Sequence, residues 1–378
     1  MSFWTSHPKA RWIAPVAVVA VVAVTPYAVS ASADSGLAPR SAGQLLTDVR
    51  NANVTLSGTI VESADLGLPS LPGIGSSSSG SAELQSLVSG SHTLRLWVDG
   101  PDRQRLAVVG TNGESDIIRN GTTLWTWSSA TKTATKRTLP AGTPESRMAP
   151  SAAPGLPTTL PSTPAAAAAE VLKAVGATTS VTTSSSATVA GRPAYELVLT
   201  PKAKTTRVAQ VRIAIDGVKR VPLRVQVYST QLAKPAFEIG FTSVDFGKPD
   251  ARQFAFTPAP GTTVKYGDAP RLTPDAPALP STATDPAAEP TVVGTGWSTV
   301  VVAKLPADAL AGLSGKAPAS QSKGQIDTLL RLLPAVSGTW GKGHLLSGTL
   351  FSAVLTDDGR VAVGAVGPGQ LYAALAAK

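Results

Sequence analysis

The chain has no cysteine, and it holds only three histidines and two methionines among 378 residues. Without cysteine there can be no disulfide, no thiol nucleophile and no lipid-modified N-terminal cysteine. The absence of disulfides is compatible with export, because many bacterial envelope proteins fold without them. Aspartate and glutamate number only 24 against 33 lysines and arginines, so few residues are available for acid–base chemistry.

Motifs for catalysis or metal binding are also missing. The sequence has no G-x-S-x-G stretch, no His/Cys/carboxylate cluster with zinc-ligand spacing, and no glycine-rich phosphate loop between a strand and a helix. His92 follows a Ser-rich stretch at the start of a predicted strand, which favours an exposed loop position. We therefore predict that the protein is not an enzyme and that it needs neither a cofactor nor a metal.

The first 33 residues have the pattern of a secretory signal peptide. Lys9 and Arg11 precede the apolar run WIAPVAVVAVVAV, and Ala31-Ser32-Ala33 supplies the small residues of a cleavage site. We predict cleavage after Ala33 and an extracytoplasmic location. The alternative is that the apolar run remains as an N-terminal membrane anchor, although two prolines and its modest length argue against a full span.

Removal of residues 1–33 lowers the formal charge from +9 to +7, because Lys9 and Arg11 are its only charged residues. This mild basic bias either serves solubility or attracts the protein to anionic phospholipid and envelope polymers, which would allow peripheral membrane contact. Nucleic acid is not an expected partner, because the chain is exported and has no basic run interleaved with aromatics.

Composition divides the exported chain into two predicted domains. Residues 34–266 contain predicted helices at 41–52 and 164–175 and a series of alternating strands. Residues 267–290 form a Pro/Asp/Ala linker that cannot pack a core. Residues 291–378 are predicted to form a small α+β domain, with a strand at 291–305, a helix at 324–336, a hairpin turned at Asp358-Gly359 and a final helix. A unit of this size folds alone only marginally, which favours docking onto the first domain.

The strands of the first domain alternate between apolar and polar residues, as expected for one antiparallel sheet with one apolar face. The predicted helices are short compared with that face. Two outcomes follow: the sheet leaves a groove for an acyl chain or another apolar ligand, or the protein's own side chains fill the space. Alternation alone predicts the following ligand-lining residues: Leu94, Leu96, Val98, Trp125, Trp127, Leu223, Val225, Phe237, Ile239 and Phe241.

Asn120-Gly121 is a two-residue turn signal between runs rich in β-branched and aromatic residues, so a β-hairpin is predicted here. Trp125 and Trp127 are two positions apart in its second strand, which places both indoles on one face of the sheet. They either line the predicted groove or pack with neighbouring strands in the ordinary way.

The order of these elements resembles the LolA-like superfamily, which comprises periplasmic lipoprotein carriers, mycobacterial lipid-binding lipoproteins and the RseB/MucB regulators of envelope stress. The resemblance covers roughly residues 41–265. It rests on these stretches: the opening helix around Gln44–Val49, the strand with Thr55, Ser57, Gly58 and Thr59, the hairpin Asn120–Trp127, the strand Ile213–Asp216 followed by Val221-Pro222-Leu223-Arg224, and the closing Phe254–Gly261, FAFTPAPG.

The resemblance implies an α+β fold: a strongly curved antiparallel half-barrel closed by helices, with a cavity for lipid or acyl chains. Residues 291–378 also resemble the second domain of the RseB-type regulators, which implies contact with a membrane anti-sigma factor. The Ala/Gly/Pro-rich composition suggests an actinobacterial member. The expected function is therefore a non-catalytic carrier or chaperone for a lipid or lipid-modified ligand, and the alternative is an RseB-like regulator. The segments 63–90 and 141–164 are candidates for a lid.

Overall fold

The structure is a computed structural model. It describes residues 37–52, 54–68, 90–110, 113–139, 163–173, 176–267, 290–305 and 332–377. The predicted signal peptide, nearly all of the predicted linker, and most of both lid segments and of the predicted helix at 324–336 lie outside the described residues.

Twelve strands form one large open sheet, consistent with the predicted half-barrel, and all neighbouring strands are antiparallel except β6 and β12. Their order across the sheet is β12-β6-β5-β4-β3-β2-β1-β11-β10-β9-β8-β7. The strands are β1 (Leu56–Ala64), β2 (Gly90–Val98), β3 (Arg103–Gly110), β4 (Gly113–Asn120), β5 (Thr123–Ser128), β6 (Thr133–Thr138), β7 (Thr179–Val189), β8 (Arg192–Pro201), β9 (Val208–Asp216), β10 (Pro222–Ser229), β11 (Pro235–Asp245) and β12 (Thr263–Tyr266).

A second sheet of six strands follows in the C-terminal part, in the order β13-β14-β18-β17-β16-β15. Its strands are β13 (Thr291–Val293), β14 (Val300–Lys304), β15 (Ala335–Gly338), β16 (Gly341–Ser347), β17 (Ser352–Thr356) and β18 (Arg360–Gly364), and the helix α3 (Pro368–Ala376) packs against it. Val354, Ala362, Leu371 and Leu375 belong to a separate small core of this unit, so it has its own apolar interior.

Within the described ranges, two helices accompany the large sheet, as predicted. Helix α1 (Ala42–Asn51) begins with a capping box, in which Ser41 and Gln44 each accept a hydrogen bond from the other's backbone N–H. Helix α2 (Pro164–Lys173) has proline in its first turn, and the Thr163 hydroxyl accepts a hydrogen bond from the Ala166 N–H at 3.0 Å. Both helix starts therefore follow from local sequence signals.

The large sheet has two chemically different faces. We define the inner face as the one that carries Ile60, Leu94, Val225 and Ile239, because these residues are fully buried in the main core together with Leu45 of α1 and Ala167 and Ala168 of α2. The outer face of the same strands carries polar pairs such as Gln226 with Glu238, at 2.9 Å. The core of the protein therefore lies between the inner face and the helices.

The structure differs from the predicted secondary structure at three places. Strand β7 has the sequence TSVTTSSSATV, in which Ser and Thr dominate, and its lack of apolar alternation hid it from prediction. The predicted strand at 291–305 is divided into β13 and β14 by a single 3-10 turn over Gly296–Ser298. Ala335 and Val336, predicted to end a helix, lie instead in β15.

The two sheets are joined by a cluster of hydrogen bonds around Arg207, which is 7% exposed. Its guanidinium donates to the Val366 carbonyl at 3.2 Å, to the Gly348 carbonyl at 2.6 Å and to the Ser347 hydroxyl at 2.9 Å. Burial lowers the pKa of Arg207. The C-terminal unit is therefore docked onto the large sheet through a buried cation.

Candidate ligand site on the inner face

The strand register aligns a row of side chains across six neighbouring strands of the inner face. Leu197 pairs with Ile213, Ile213 with Val225, and Val225 with Ile239. Ile239 pairs with Glu62, and Glu62 with His92. We call these six residues the inner row. Its four aliphatic members are at most 1% exposed, so the row is a continuous apolar strip that ends in two polar side chains.

Glu62 and His92 form a hydrogen-bonded pair in this apolar setting. Glu62 is 0% exposed and His92 is 5% exposed, and 3.0 Å separates His92 Nδ1 from Glu62 Oε2. The other carboxyl oxygen, Oε1, is buried and has no hydrogen-bond partner. Burial raises the pKa of Glu62, and the hydrogen bond and charge of His92 oppose that rise only in part.

The prediction that His92 is an exposed loop residue is therefore wrong. The histidine is the third residue of β2 and shares the inner face with Leu94, because residues two apart in a strand point to the same side. Glu62 shares that face with Ile60 for the same reason. The alternation of β2 extends back to His92 and contains this signal, whereas the Ser-rich stretch before His92 is typical of a loop.

Eight of the ten predicted ligand-lining residues lie on the inner face. Six of them are buried in the main core, and two, Leu96 and Val98, are half-buried against it. The six buried residues are Leu94, Leu223, Val225, Phe237, Ile239 and Phe241. In this structure the protein's own residues thus cover most of the predicted face, and contact with a ligand requires movement of that cover.

Trp125 and Trp127 share one face, as predicted, but it is the outer face. Trp125 pairs with Ile118 and Trp127 with Asp116, whereas the inner-face residues of β4 have the opposite parity. Both indoles contact Phe256 of the FAFTPAPG segment, with ring centroids 5.2 and 6.1 Å apart. The tryptophans therefore pack under a chain segment that crosses the outer side of the sheet, and the ten predicted residues do not form one surface.

The outer face also holds a buried ion pair next to the tryptophans. Arg105 Nε donates to Asp116 Oδ1 at 2.7 Å, and the Arg105 guanidinium lies 5.3 Å from the centre of the Trp97 ring. Burial raises the pKa of Asp116 to about 6, against the lowering effect of Arg105. Arg105 also donates to Glu114 at 2.9 Å, so one guanidinium serves two carboxylates.

Helix α2 covers the part of the inner row that lies on β10 and β11, the two strands it contacts. Its described side chains that are buried in the main core are Ala167 and Ala168. Their methyl groups let the helix backbone lie close to the sheet. Glu62 lies on β1, the next strand beyond β11, so the polar end of the row is adjacent to the helix-covered part.

A separate groove of about 400 Å³ lies between the end of β1 and the second sheet. Its walls include Gly67 and Leu68 on one side and Leu345, Leu346 and Ser347 on the other. None of the ten predicted ligand-lining residues contributes to it. Within the described ranges, no three His, Cys or carboxylate side chains are grouped to bind a metal, and no helix is long and apolar enough to span a membrane.

The structure thus defines a β-rich protein whose large sheet has one apolar, helix-covered face. Residues 81–265, slightly less than half of the chain, match the model of a family described as "Predicted periplasmic protein (DUF2092)". The match includes His92 but begins after β1, which carries Glu62. No curated protein matches the chain.

Among solved structures, the chain is similar to MucB in complex with MucA(peri), with 15% identity and a TM-score of 0.41 over 89% of this chain and 97% of that one. The MucA/MucB complex of Pseudomonas aeruginosa shows 14% identity and a TM-score of 0.39 over 88% and 95%. A LolA superfamily protein from Nitrosomonas europaea shows 9% identity and a TM-score of 0.21 over 58% and 99%. The comparisons return the same LolA-like and MucB-type proteins that the sequence resembles, and these scores assign neither a ligand nor a partner.

Proposed function

We propose that this chain is an exported, non-catalytic protein of the cell envelope that binds a lipid or lipid-modified ligand on the inner face of its large sheet, as a carrier or chaperone. The observation that carries the proposal is the inner row. Four buried aliphatic side chains on neighbouring strands form a strip, and a helix covers part of it.

The free energy of such binding depends on helix α2, which lies over part of the inner face. Because helix α2 already shields the inner face, the favourable term is the apolar surface of the ligand, at about 25 cal/mol per Å² removed from water. The unfavourable terms are displacement of the helix and ordering of the ligand. At Ala167 and Ala168 the helix gives up only methyl contacts, which are smaller than the contacts of a leucine.

The extracytoplasmic location is supported by two independent features. The sequence opens with a signal-peptide pattern over residues 1–33. The family that matches residues 81–265 is described as periplasmic. N-terminal sequencing of the mature protein tests the cleavage: we expect a first residue at or near Asp34, and a mature protein that begins at Met1 would favour the anchored alternative.

Lipid uptake tests the proposal, and two valines provide a matched pair of variants. Val227 and Val198 are both half-buried, but Val227 packs against the main core on the inner face, whereas Val198 pairs with Arg212 on the outer face. We expect Val227→Asp to weaken uptake of a fluorescent fatty acid at least tenfold, because a carboxylate then has to be desolvated beside the ligand. Val198→Asp is expected to bind like the wild type.

Native mass spectrometry of the purified wild type provides the second measurement, and co-purified lipid is the expected result. A lipid-free mass together with no uptake of the fluorescent fatty acid would contradict the proposal. Circular dichroism of both aspartate variants confirms that any loss of binding is not caused by unfolding.

A regulator that senses lipid and contacts a membrane anti-sigma factor is the second candidate function. It is favoured by the position of Arg207, the residue directly before β9. Arg207 docks the second sheet, and the same strand carries Ile213 of the inner row. A pull-down from solubilised membranes compares lipid-loaded with lipid-free protein. If the protein is a regulator, the lipid-loaded and lipid-free forms should retain different amounts of a membrane protein. Equal amounts with both forms would contradict this candidate function.

A further inference from the structure

We propose that Glu62 and His92 form the head-group site of the inner row, and that they select a ligand whose polar end is a neutral hydrogen-bond donor, such as a hydroxyl or an amide N–H, over one that ends in a carboxylate. This inference rests on the proposed function, because the inner row must first accept the apolar chain of the ligand.

One oxygen of the buried Glu62 carboxyl group has no hydrogen-bond partner. Glu62 is 0% exposed, and only Oε2 of its carboxyl group has a partner, His92 Nδ1 at 3.0 Å. A buried acceptor without a hydrogen bond has lost its water partners and gained none in return, so it destabilises the folded protein. A ligand group that donates a hydrogen bond to Oε1 would remove that destabilisation, so the site has a built-in preference for a donor.

The hydrogen bond between Glu62 and His92 leaves Oε1 as an acceptor. In an apolar interior the neutral form of the pair is favoured, either as carboxylate with imidazolium or as carboxylic acid with imidazole. In both forms the 3.0 Å between Oε2 and Nδ1 allows one proton to be shared between these two atoms. Oε1 is therefore an acceptor in either form, and it complements a donor.

Other head groups match this site less well. A carboxylate ligand has no proton to donate and would place a negative charge beside an acceptor oxygen. An ammonium group could donate, but it would bury a net charge beside a neutral pair. A hydroxyl or amide forms the missing hydrogen bond without burying charge, and this makes it the best match.

The geometry of the sheet places that head group at the end of an apolar track. Ile239 is the cross-strand neighbour of Glu62, and Val225, Ile213 and Leu197 continue the row strand by strand. Neighbouring strands are about 4.8 Å apart. The three steps from β11 to β8 therefore span about 14 Å, enough for an acyl chain of medium length.

The test compares binding of 1-decanol and decanoate to the full-length protein, by competition with a fluorescent fatty acid. We expect the wild type to prefer decanol by about tenfold, the effect of one hydrogen bond at a buried site. The double variant Glu62→Leu/His92→Leu removes both polar groups together and leaves no unpaired partner, and we expect it to lose that preference.

Two further variants separate recognition from structure. In Glu62→Gln the side-chain NH2 group can take the Oε2 position and donate to His92 Nδ1, which leaves the amide oxygen as the acceptor for the ligand, so we expect this variant to retain the preference for decanol. Ile239→Leu alters the neighbouring apolar position of the row and is expected to leave the ratio of the two affinities unchanged. A purely structural role for the pair would change the affinities for both ligands together and leave their ratio the same.

The outcomes distinguish this inference from the proposed function. If the wild type binds neither ligand, the proposed function fails and the head-group site fails with it. If the wild type and the double leucine variant bind both ligands with the same ratio, lipid binding stands and the head-group site is refuted. If the double leucine variant loses the preference for decanol and Glu62→Gln retains it, the result supports the head-group site.

Discussion

Glu62 lies where the sheet would otherwise be apolar, between Ile60 and Ala64 on its own strand and opposite Ile239 on β11. An isolated carboxylate there would pay a large desolvation cost, and His92 compensates for only part of it. The direction of the pKa shift of Glu62 follows: burial favours the protonated form more strongly than His92 favours the charged form. This residue therefore makes the stability of the protein depend on pH.

The sign of that dependence can be tested with Glu62→Gln. Since the pKa of Glu62 is raised in the folded protein, its contribution is fully present below the ordinary value of 4.5 and is lost as the pH rises through the folded value. We expect the free energy of unfolding of the variant, relative to the wild type, to increase by about 1.4 kcal/mol per pH unit across that window. Urea unfolding between pH 4 and 8 measures it.

The comparison with Glu62→Gln isolates the Glu62–His92 pair, because Asp116 has a raised pKa of about 6 and adds a pH dependence of the same sign in both proteins. The difference between wild type and variant cancels the contribution of Asp116. A difference that stays constant from pH 4 to 8 would show that the carboxyl of Glu62 is not perturbed.

Leu45 is the one described side chain of helix α1 that is fully buried in the main core. Leu45 is 0% exposed and belongs to the main core, whereas its neighbour Leu46 is only half-buried. The segment before the helix adds a hydrogen bond from the Tyr195 hydroxyl to the Ala38 carbonyl at 2.6 Å. The capping box at Ser41 fixes where the helix starts, but Leu45 fixes how it is oriented.

Adjacent leucines allow a matched test of this element. We expect Leu45→Ala to lower the free energy of unfolding by about 2 to 5 kcal/mol, since it leaves a cavity in the core. Leu46→Ala removes the same number of atoms from a half-exposed position and should cost clearly less. Thermal and urea unfolding of both variants measure the difference, and equal losses would show that the helix is not anchored by Leu45.

The described residues form two sheets with separate cores, which are docked through polar contacts and through Trp297, Leu350 and Ala365, three residues of the second unit that pack against the main core. Arg207 has no carboxylate partner among its hydrogen bonds and is satisfied by carbonyls, the Ser347 hydroxyl and the Gln231 side-chain oxygen. Nearby, the Ser229 hydroxyl donates to the Thr349 carbonyl at 2.8 Å. These hydrogen bonds fix one relative position of the two sheets, because all the acceptors of Arg207 must be in place at the same time.

Replacement of Arg207 by methionine keeps the apolar stem and removes the donors. We expect it to leave the Gly348 and Val366 carbonyls unpaired and to uncouple the two units, so that calorimetry shows two transitions where the wild type shows one. Arg224→Met, on the outer face, is the control and should keep the wild-type profile. A single transition for Arg207→Met, at the wild-type temperature, would contradict a docking role for Arg207.

Much of the large sheet was predictable from local signals. Alternation located most strands, Asn120-Gly121 located a hairpin, and the caps at Ser41 and Thr163 located both helix starts. These strands, turns and helix starts depend on residues that are close together in the chain, so they can be predicted from a single sequence. Strand β7 was missed because it has no apolar alternation, and it is held by its pairing with β8.

The sequence by itself determined which residues share a face within one strand, because the period of two is a property of the backbone. The alternation therefore places Trp125 and Trp127 on one face of their strand. It also places Glu62 on the same face as Ile60, and His92 on the same face as Leu94. Only the tertiary structure decided which side of the sheet the helices cover, and this placed the tryptophans outside under Phe256 and the Glu62–His92 pair inside. The physical reason is that register between distant strands, and hence the identity of each neighbour, depends on contacts that are far apart in the chain.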